Sequence, residues 1–431
     1  MRVTLAAIAL ACLANCADTT PPTQSSSKKG GKRFTLTQVH NDKFQGHDTP
    51  SSFLKAHLKY GHTLPPQLSR ALDLNPSLKL RFQAQLPYTN RSQKGTIKTS
   101  IAPKYDSEYS VPVQIGTPPQ TIPLNLDTGS ADLWTFSSET YPTVVMNQTL
   151  YHPENSSTCE LQRGESWQVK YGDGAGAAGI VYRDRVQVGE TYVDGQGVQA
   201  AITVSPEIAR DSFTSGILGM ANSRVNTARP MQQRTYIDNI RGSLEEPLFT
   251  ANLRNRRPGN YNFGYIDKSE YTGDLQYAAV NRYSPFWMVT VNGYQVGYNP
   301  PLQVSWNAIV DTGTSLLLLP DEIVQDYYRH VPGAGIDPKL GVVTFPCQVH
   351  PPDFFFYIGA HRGRIPGAYI NYGQVSETYC HGGIQTARGL PFGVLGDVVL
   401  KAQFIVFNYN LGLVGFANKK LDDAPDSPPE H

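Results

Sequence analysis

One short phrase occurs twice in the 431 residues, and it constrains the fold more than any other feature of the chain. Leu124-Asn125-Leu126-Asp127-Thr128-Gly129-Ser130 is echoed by Ala308-Ile309-Val310-Asp311-Thr312-Gly313-Thr314-Ser315. Each copy is an apolar run ending in Asp-Thr-Gly and a hydroxyl residue. The two aspartates stand 184 positions apart (311 − 127). A second phrase follows each: Gly216-Ile217-Leu218-Gly219 and Gly393-Val394-Leu395-Gly396, whose last glycines trail their aspartates by 92 (219 − 127) and 85 (396 − 311) positions. A motif pair repeated at nearly the same internal spacing predicts two homologous lobes.

The chemistry of the phrase is specific. The apolar run reads as a buried strand. It carries Asp to its end, where Gly permits a tight turn. The Thr and Ser hydroxyls can bond neighbouring carboxylates and backbone. If the two turns meet, Asp127 and Asp311 share one site. Like charges a few ångströms apart do not both ionise cheaply, so one pKa rises and the other falls. Such a pair offers a general acid and a general base around one water. A lone Asp-Thr-Gly is usually turn or cap chemistry. Two copies, each after an apolar strand and each followed by Gly-apolar-Leu-Gly, reverse that weighting.

On these motifs the chain, from roughly residue 100 to its end, resembles the pepsin-like family of aspartic endopeptidases. Within it the likeness is to the secreted fungal, penicillopepsin- and aspergillopepsin-like enzymes. The resemblance implies an all-β, bilobal acid-protease fold: two pseudo-twofold-related β lobes, an inter-lobe sheet and a deep cleft. It implies hydrolysis of peptide bonds at acidic pH by Asp127 and Asp311, with no metal or other cofactor. Gly129, Gly313 and Thr314 would lie against an extended peptide substrate, and Thr128, Ser130 and Thr312 would support the pair. Trp167 to Tyr182 reads as a hairpin with a Gly-rich tip and is similar to the family's flap. There Tyr171 matches the flap tyrosine that Trp134 would pin, and Gly172 and Asp173 would meet substrate, Asp173 by pairing with a substrate ammonium. The family joins Cys347 to Cys380, which leaves Cys159 expected to be unpaired. Ser215 stands where the family usually has Asp, a departure that touches local hydrogen bonding and not the reaction. The family favours large hydrophobic residues around the cut.

Charge divides the chain. Residues 1–100 carry 14 Lys/Arg against 4 Asp/Glu, a net of +10, while residues 101–431 carry 23 against 32, a net of −9. Met1-Arg2 and the apolar Leu5 to Leu13 read as a secretory signal over 1–16. Residues 17–98 are expected to be a basic propeptide, with an alternating strand at Phe34 to Val39 and helical spacing from Ser51 to Leu72. It would dock over an acidic cleft by ion pairs, with Lys59-Tyr60 plugging the aspartate pair. The catalytic lobes are expected over 99–281 and 282–431, with Phe249 to Leu253 and Phe263 to Asp267 in the sheet joining them. Asn90, Asn147 and Asn155 begin glycan sequons. No stretch beyond the N-terminus is long and apolar enough to span a bilayer, and the polar tail from Asn418 lacks the apolar end of a lipid-anchor signal. A secreted, monomeric, soluble product is expected, with vacuolar retention as the alternative. The competing function is a catalytically silent binding protein of the same fold. Such a protein commonly loses an Asp, the Gly of its turn or the flap Tyr, and all are present here. Nucleic-acid binding by the basic arm leaves the repeated motif unexplained.

Overall fold

In the computed structural model, residues 31–40, 49–61, 63–79, 109–170, 176–205, 208–209 and 214–424 are described. The signal, the three positions Tyr171, Gly172 and Asp173, the Asn90 sequon and the polar tail from 425 lie outside them.

The repeat in the sequence is a repeat in topology. In the first half, Gln120–Asp127 runs parallel to Gly216–Gly219, which is antiparallel to Leu133–Phe136, which is parallel to Thr191–Val204. In the second half, Trp306–Val310, Gly393–Leu395, Leu317–Leu319 and Ile384–Thr386 repeat that order with the same senses. Each aspartate follows or ends the first of these strands and each Gly-apolar-Leu-Gly phrase is the second. The phrase needs its last glycine because the neighbouring turn passes against it. A Cβ on Gly219 would lie 2.6 Å from the Asp132 nitrogen, and one on Gly396 would strike the Thr314 carbonyl.

Strand burial follows the pattern. Ile122, Leu124 and Leu126 alternate inward at 0–2% exposure. Trp306–Val310, flanked by strands on both sides, is buried at four of its five positions, as apolar runs covered on both faces are. In the first half an eight-stranded sheet also contains Tyr109–Ile115, Glu160–Lys170 and Gly176–Val188. The last two form a hairpin in which Lys170 pairs with Gly176.

A six-stranded sheet is shared by the halves. It contains Leu248–Ala251, Asn260–Phe263 and Thr272–Ala279 from before position 282, and Gln403–Asn408 and Leu413–Asn418 from after it. The second of these strands stops at Phe263, not Asp267, because Gly264 turns the chain with φ 83°. All-β, two-lobed architecture with a joining sheet is therefore what the chain builds. Cys347 and Cys380 are bridged, with Cα atoms 5.0 Å apart. Cys159 is a free thiol that accepts a hydrogen bond from the Tyr151 hydroxyl at 3.3 Å.

The described part of the first hundred residues packs on this body. Phe34–Thr37 is the sixth strand of the shared sheet, antiparallel to Asn260–Phe263, with the Phe34 and Phe263 rings stacked at 4.9 Å. The helical spacing resolves into two helices, Thr49–Tyr60 and Pro66–Leu74, with Gly61 and Pro65 in the break between them. Phe53, Leu54, Ala56 and Leu58 of the first helix share one apolar cluster with Ile309, Leu316, Leu318 and Val394 of the second half. The seam along this helix is apolar, and ion pairs join it at the Lys59 end. Arg33, at 3.9 Å from Glu245, pairs across water-exposed surface, where such contacts contribute little.

Candidate active site

Two strand ends bring the Asp-Thr-Gly turns face to face. Thr128 N donates to Thr312 Oγ1 and Thr312 N donates to Thr128 Oγ1, each at 3.0 Å. Each hydroxyl then donates to the strand beneath the opposite aspartate: Thr128 Oγ1 to Val310 O at 2.9 Å and Thr312 Oγ1 to Leu126 O at 2.6 Å. All four bonds are buried. They exchange perfectly under a twofold operation. Buried and fully satisfied, such a network fixes one arrangement of the two turns.

That exchange sets the carboxylates. Gly129 N donates to Asp127 Oδ1 at 2.8 Å, and Gly313 N to Asp311 Oδ1 at 2.9 Å. Ser130 Oγ donates to Asp127 Oδ2 at 2.6 Å, and Thr314 Oγ1 does the same for Asp311 Oδ2. Both side chains are almost wholly shielded, at 2% and 0% exposure. Glycine is required in both turns. A Cβ on Gly129 would lie 2.6 Å from Asp311 Cγ, and one on Gly313 would lie 2.5 Å from Asp127 Cγ. Each turn therefore leaves room for the opposite carboxylate to approach.

Between the carboxylates sits Lys59, from the end of the Thr49–Tyr60 helix. Its Nζ lies 2.8 and 3.0 Å from the oxygens of Asp127 and 3.3 and 3.2 Å from those of Asp311. The Tyr60 hydroxyl donates to Asp311 Oδ2 at 2.7 Å and to the Gly129 carbonyl at 3.3 Å. The Tyr60 ring meets Phe286 and Phe392 edge to face, at 5.4 and 5.5 Å.

The electrostatics follow from burial and from Lys59. For Lys59 burial favours the neutral amine, but the charges of Asp127 and Asp311 outweigh it and raise the pKa. Burial is also the largest influence on Asp127 and leaves its carboxyl above the usual range, against the pull of Lys59. For Asp311 the same burial is overcome by Lys59 and by hydrogen bonds from Asp127, Thr314 and Tyr60, which hold it down to about 2. The two carboxyls are thus unequal, with Asp127 the weaker acid of the pair.

The remaining expected site residues fall as follows. Trp134, 2% exposed, packs its ring 5.9 Å from Trp167, and its Nε1 finds no partner among the described residues. Ser215, standing where an Asp was expected, uses its hydroxyl to accept from Thr149 N at 2.8 Å, so the exchange leaves no bond open there. Two residues near the turn were missed in the sequence. Asp132 is buried five positions beyond Asp127 and accepts from Thr227 N at 2.8 Å and from Asn226 Nδ2 at 2.9 Å. Burial pushes its carboxyl up. Its position just past the motif was the only signal available, and an Asp after a turn is ordinarily turn chemistry. Asn226, its partner from 94 positions away, carried no signal at all.

Comparison with known proteins agrees with this geometry. A family model described as eukaryotic aspartyl protease matches residues 108–419. The chain is 42% identical to endothiapepsin of Cryphonectria parasitica over 403 residues, 92% of this chain and 93% of that one. It is 38% identical to aspergillopepsin-1 of Aspergillus oryzae over 422 residues, 96% of this chain and 98% of that one. With penicillopepsin-2 of Penicillium janthinellum it shares 38% over 414 residues, 95% and 97% of the two chains. Matches this long take in much of the N-terminal arm as well as the body.

Proposed function

The chain belongs to the eukaryotic aspartyl protease family and is an aspartic-type endopeptidase; from that premise we propose that Asp127 and Asp311 cleave peptide bonds in acid by activating one water between them. The observation that carries this reading is the position of Lys59 Nζ, within 2.8–3.3 Å of all four carboxylate oxygens. The ammonium stands in for the attacking solvent molecule: a small hydrogen-bond donor held by both carboxylates at once. With Lys59 withdrawn, two buried carboxylates at that separation share a proton. The ionised one takes a proton from water as it attacks the peptide carbonyl. The protonated one donates to the carbonyl oxygen, and no covalent enzyme intermediate forms. Gly129, Gly313 and Thr314 line the approach to that point and are suited to hold an extended peptide, and Tyr171, Gly172 and Asp173 are assigned to the same substrate on the sequence alone.

The same observation supports a zymogen. Residues 17–98 act as an intramolecular inhibitor, with Lys59 occupying the water position and Tyr60 filling the adjoining aromatic pocket. Residues 99–281 and 282–431 form the two catalytic lobes, and a signal over 1–16 sends the protein for secretion. No described helix is long and apolar enough to cross a membrane. The product acts as a monomer on protein substrates.

Digestion of a protein substrate in acid, with and without a statine-type transition-state mimic, tests the catalytic assignment. Wild-type activity should be abolished by the mimic and by Asp127→Asn or Asp311→Asn. Undiminished activity in either variant would reject it. For the arm, Lys59→Met should process faster than wild type near neutral pH; equal rates would remove Lys59 from the inhibitory role.

A further inference from the structure

The chemistry above leaves unused a cavity of about 210 Å³ at one end of the six-stranded sheet, where Leu248–Ala251 and Leu413–Asn418 run out and Thr272–Ala279 begins. Arg254, Arg257, Lys401, Lys419 and Lys420 line it, against the carboxylates of Glu270 and Asp422. Both carboxylates are already engaged. Glu270 accepts from the side-chain amides of Asn260 at 2.7 Å and Asn262 at 2.8 Å, and Asp422 lies 3.5 Å from Arg257. The lining is therefore positive, in a body whose net charge is −9.

Lys419 forms the floor. The residue is partly covered, with its ammonium drawn inward onto the carbonyls of Leu253 and Leu400, the latter at 3.1 Å. These partners are neutral. Burial, and after it the charge of Arg254, holds the lysine pKa well below its usual value. The wall is a strained loop. Arg256, between the two lining arginines, is the one non-glycine among the described residues with positive φ, at 54°. A strained backbone of this kind persists where its surroundings hold it, and it recurs at ligand clamps.

We propose that this cavity binds a tetrahedral oxyanion of the phosphate class, held by Arg254, Arg257, Lys419 and Lys420. The guanidinium fork matches two oxygens of such an anion, and the ammonium groups add point charges. The volume is below the about 300–1,000 Å³ of pockets that take drug-sized ligands, so it suits a free ion or the terminal group of a phosphomonoester. The bound anion ties the 252–258 loop to the segment after the last strand.

Calorimetric titration of the full chain with sodium phosphate, sodium sulfate and sodium chloride at matched ionic strength tests the site. Phosphate and sulfate should bind saturably at one site per chain, and chloride should not. Arg257→Gln with Lys420→Gln, both partly or fully exposed, should weaken phosphate binding at least tenfold and leave the thermal midpoint in chloride unchanged. Lys419→Met should also weaken phosphate binding. Glycerol phosphate binding as tightly as phosphate assigns the site to phosphoesters; exclusion of the ester assigns it to the free ion. Absence of saturable heat, or equal affinity in wild type and the double variant, overturns the proposal. That comparison also separates a site from the stabilisation that excluded oxyanions give any folded protein.

Discussion

Asp127 and Asp311 carry the same motif and differ in surroundings: Tyr60 and Thr314 both donate to Asp311, while Lys59 lies nearer to Asp127. The residues that place them are testable apart from the chemistry. Thr128→Val removes a hydroxyl that donates to Val310 O and accepts from Thr312 N. It leaves those two buried groups unpaired, which costs about 1–3 kcal/mol per site. Thr128→Val and Thr312→Val should each lower unfolding free energy by that order in denaturant titrations, and Thr→Ser at either position should restore most of it. If Val were as stable as Ser, the exchange would be incidental. The proposed acid–base pair is a separate matter: in protein freed of the arm and its Lys59, Asp127→Asn should leave unfolding largely unchanged and reduce kcat by about 10²–10⁴-fold or more. The aspartates, their glycines and the flanking hydroxyls were legible in the sequence because all the information is local. The partner of each threonine was not, because it depends on contact between turns 184 positions apart. Asp132 escaped for the same reason, as its bonds come from Asn226 and Thr227.

At the scale of an element, the Thr49–Tyr60 helix shows what composition reveals and what it hides. The charge asymmetry is a property of whole segments, and of the arm's cations it is Lys59 that stands at the aspartates. The apolar seam beneath was illegible, because Phe53 and Leu58 declare a helix face without declaring which surface receives it. Phe53 is fully buried against that surface. Phe53→Ala should weaken docking by about 3–5 kcal/mol, the cost of emptying such a position. It should speed loss of the arm at neutral pH, followed by gel electrophoresis over time; unchanged kinetics would mean that charge alone holds the helix. The Cys347–Cys380 bridge closes a segment with a separation of 33 residues. Replacing both cysteines by Ala should cost about 3–4 kcal/mol in the loop-entropy account, read as a lower midpoint in urea with the dyad geometry intact.

For the whole molecule, the question is which group responds when the surroundings turn acid. The Lys59–Asp311 pair does not respond first. The Asp311 carboxyl is held down to about 2, so its contribution is present above the ordinary 3.8 and fades only as pH falls through about 2, while Lys59 stays charged throughout. His57 behaves differently. Burial lowers its pKa from 6.5 to about 4, against the opposing carbonyls of Phe53 at 3.1 Å and Arg388 at 3.0 Å. The docked ring is neutral. Its contribution to docking is complete above 6.5 and is lost progressively as pH falls from there to about 4. The nearby charges oppose a second cation: Arg388, whose guanidinium pairs with Asp321, and Lys59 two positions along the helix. His57→Gln should keep the arm in place to a lower pH than wild type, measured as the pH at half-maximal processing; coincident curves would exclude the imidazole as the responsive group. The aromatic stack of Phe34 on Phe263 has a consequence of its own. Its strand covers the outer side of Asn260–Phe263, and shedding it bares a row of main-chain donors and acceptors, a surface that recruits any extended chain within reach. If the arm is shed as proposed, maturation is a change of sealant as much as a removal of an inhibitor: some other stretch of backbone has to lie down on that rim, or the ripened molecules will adhere to one another along it.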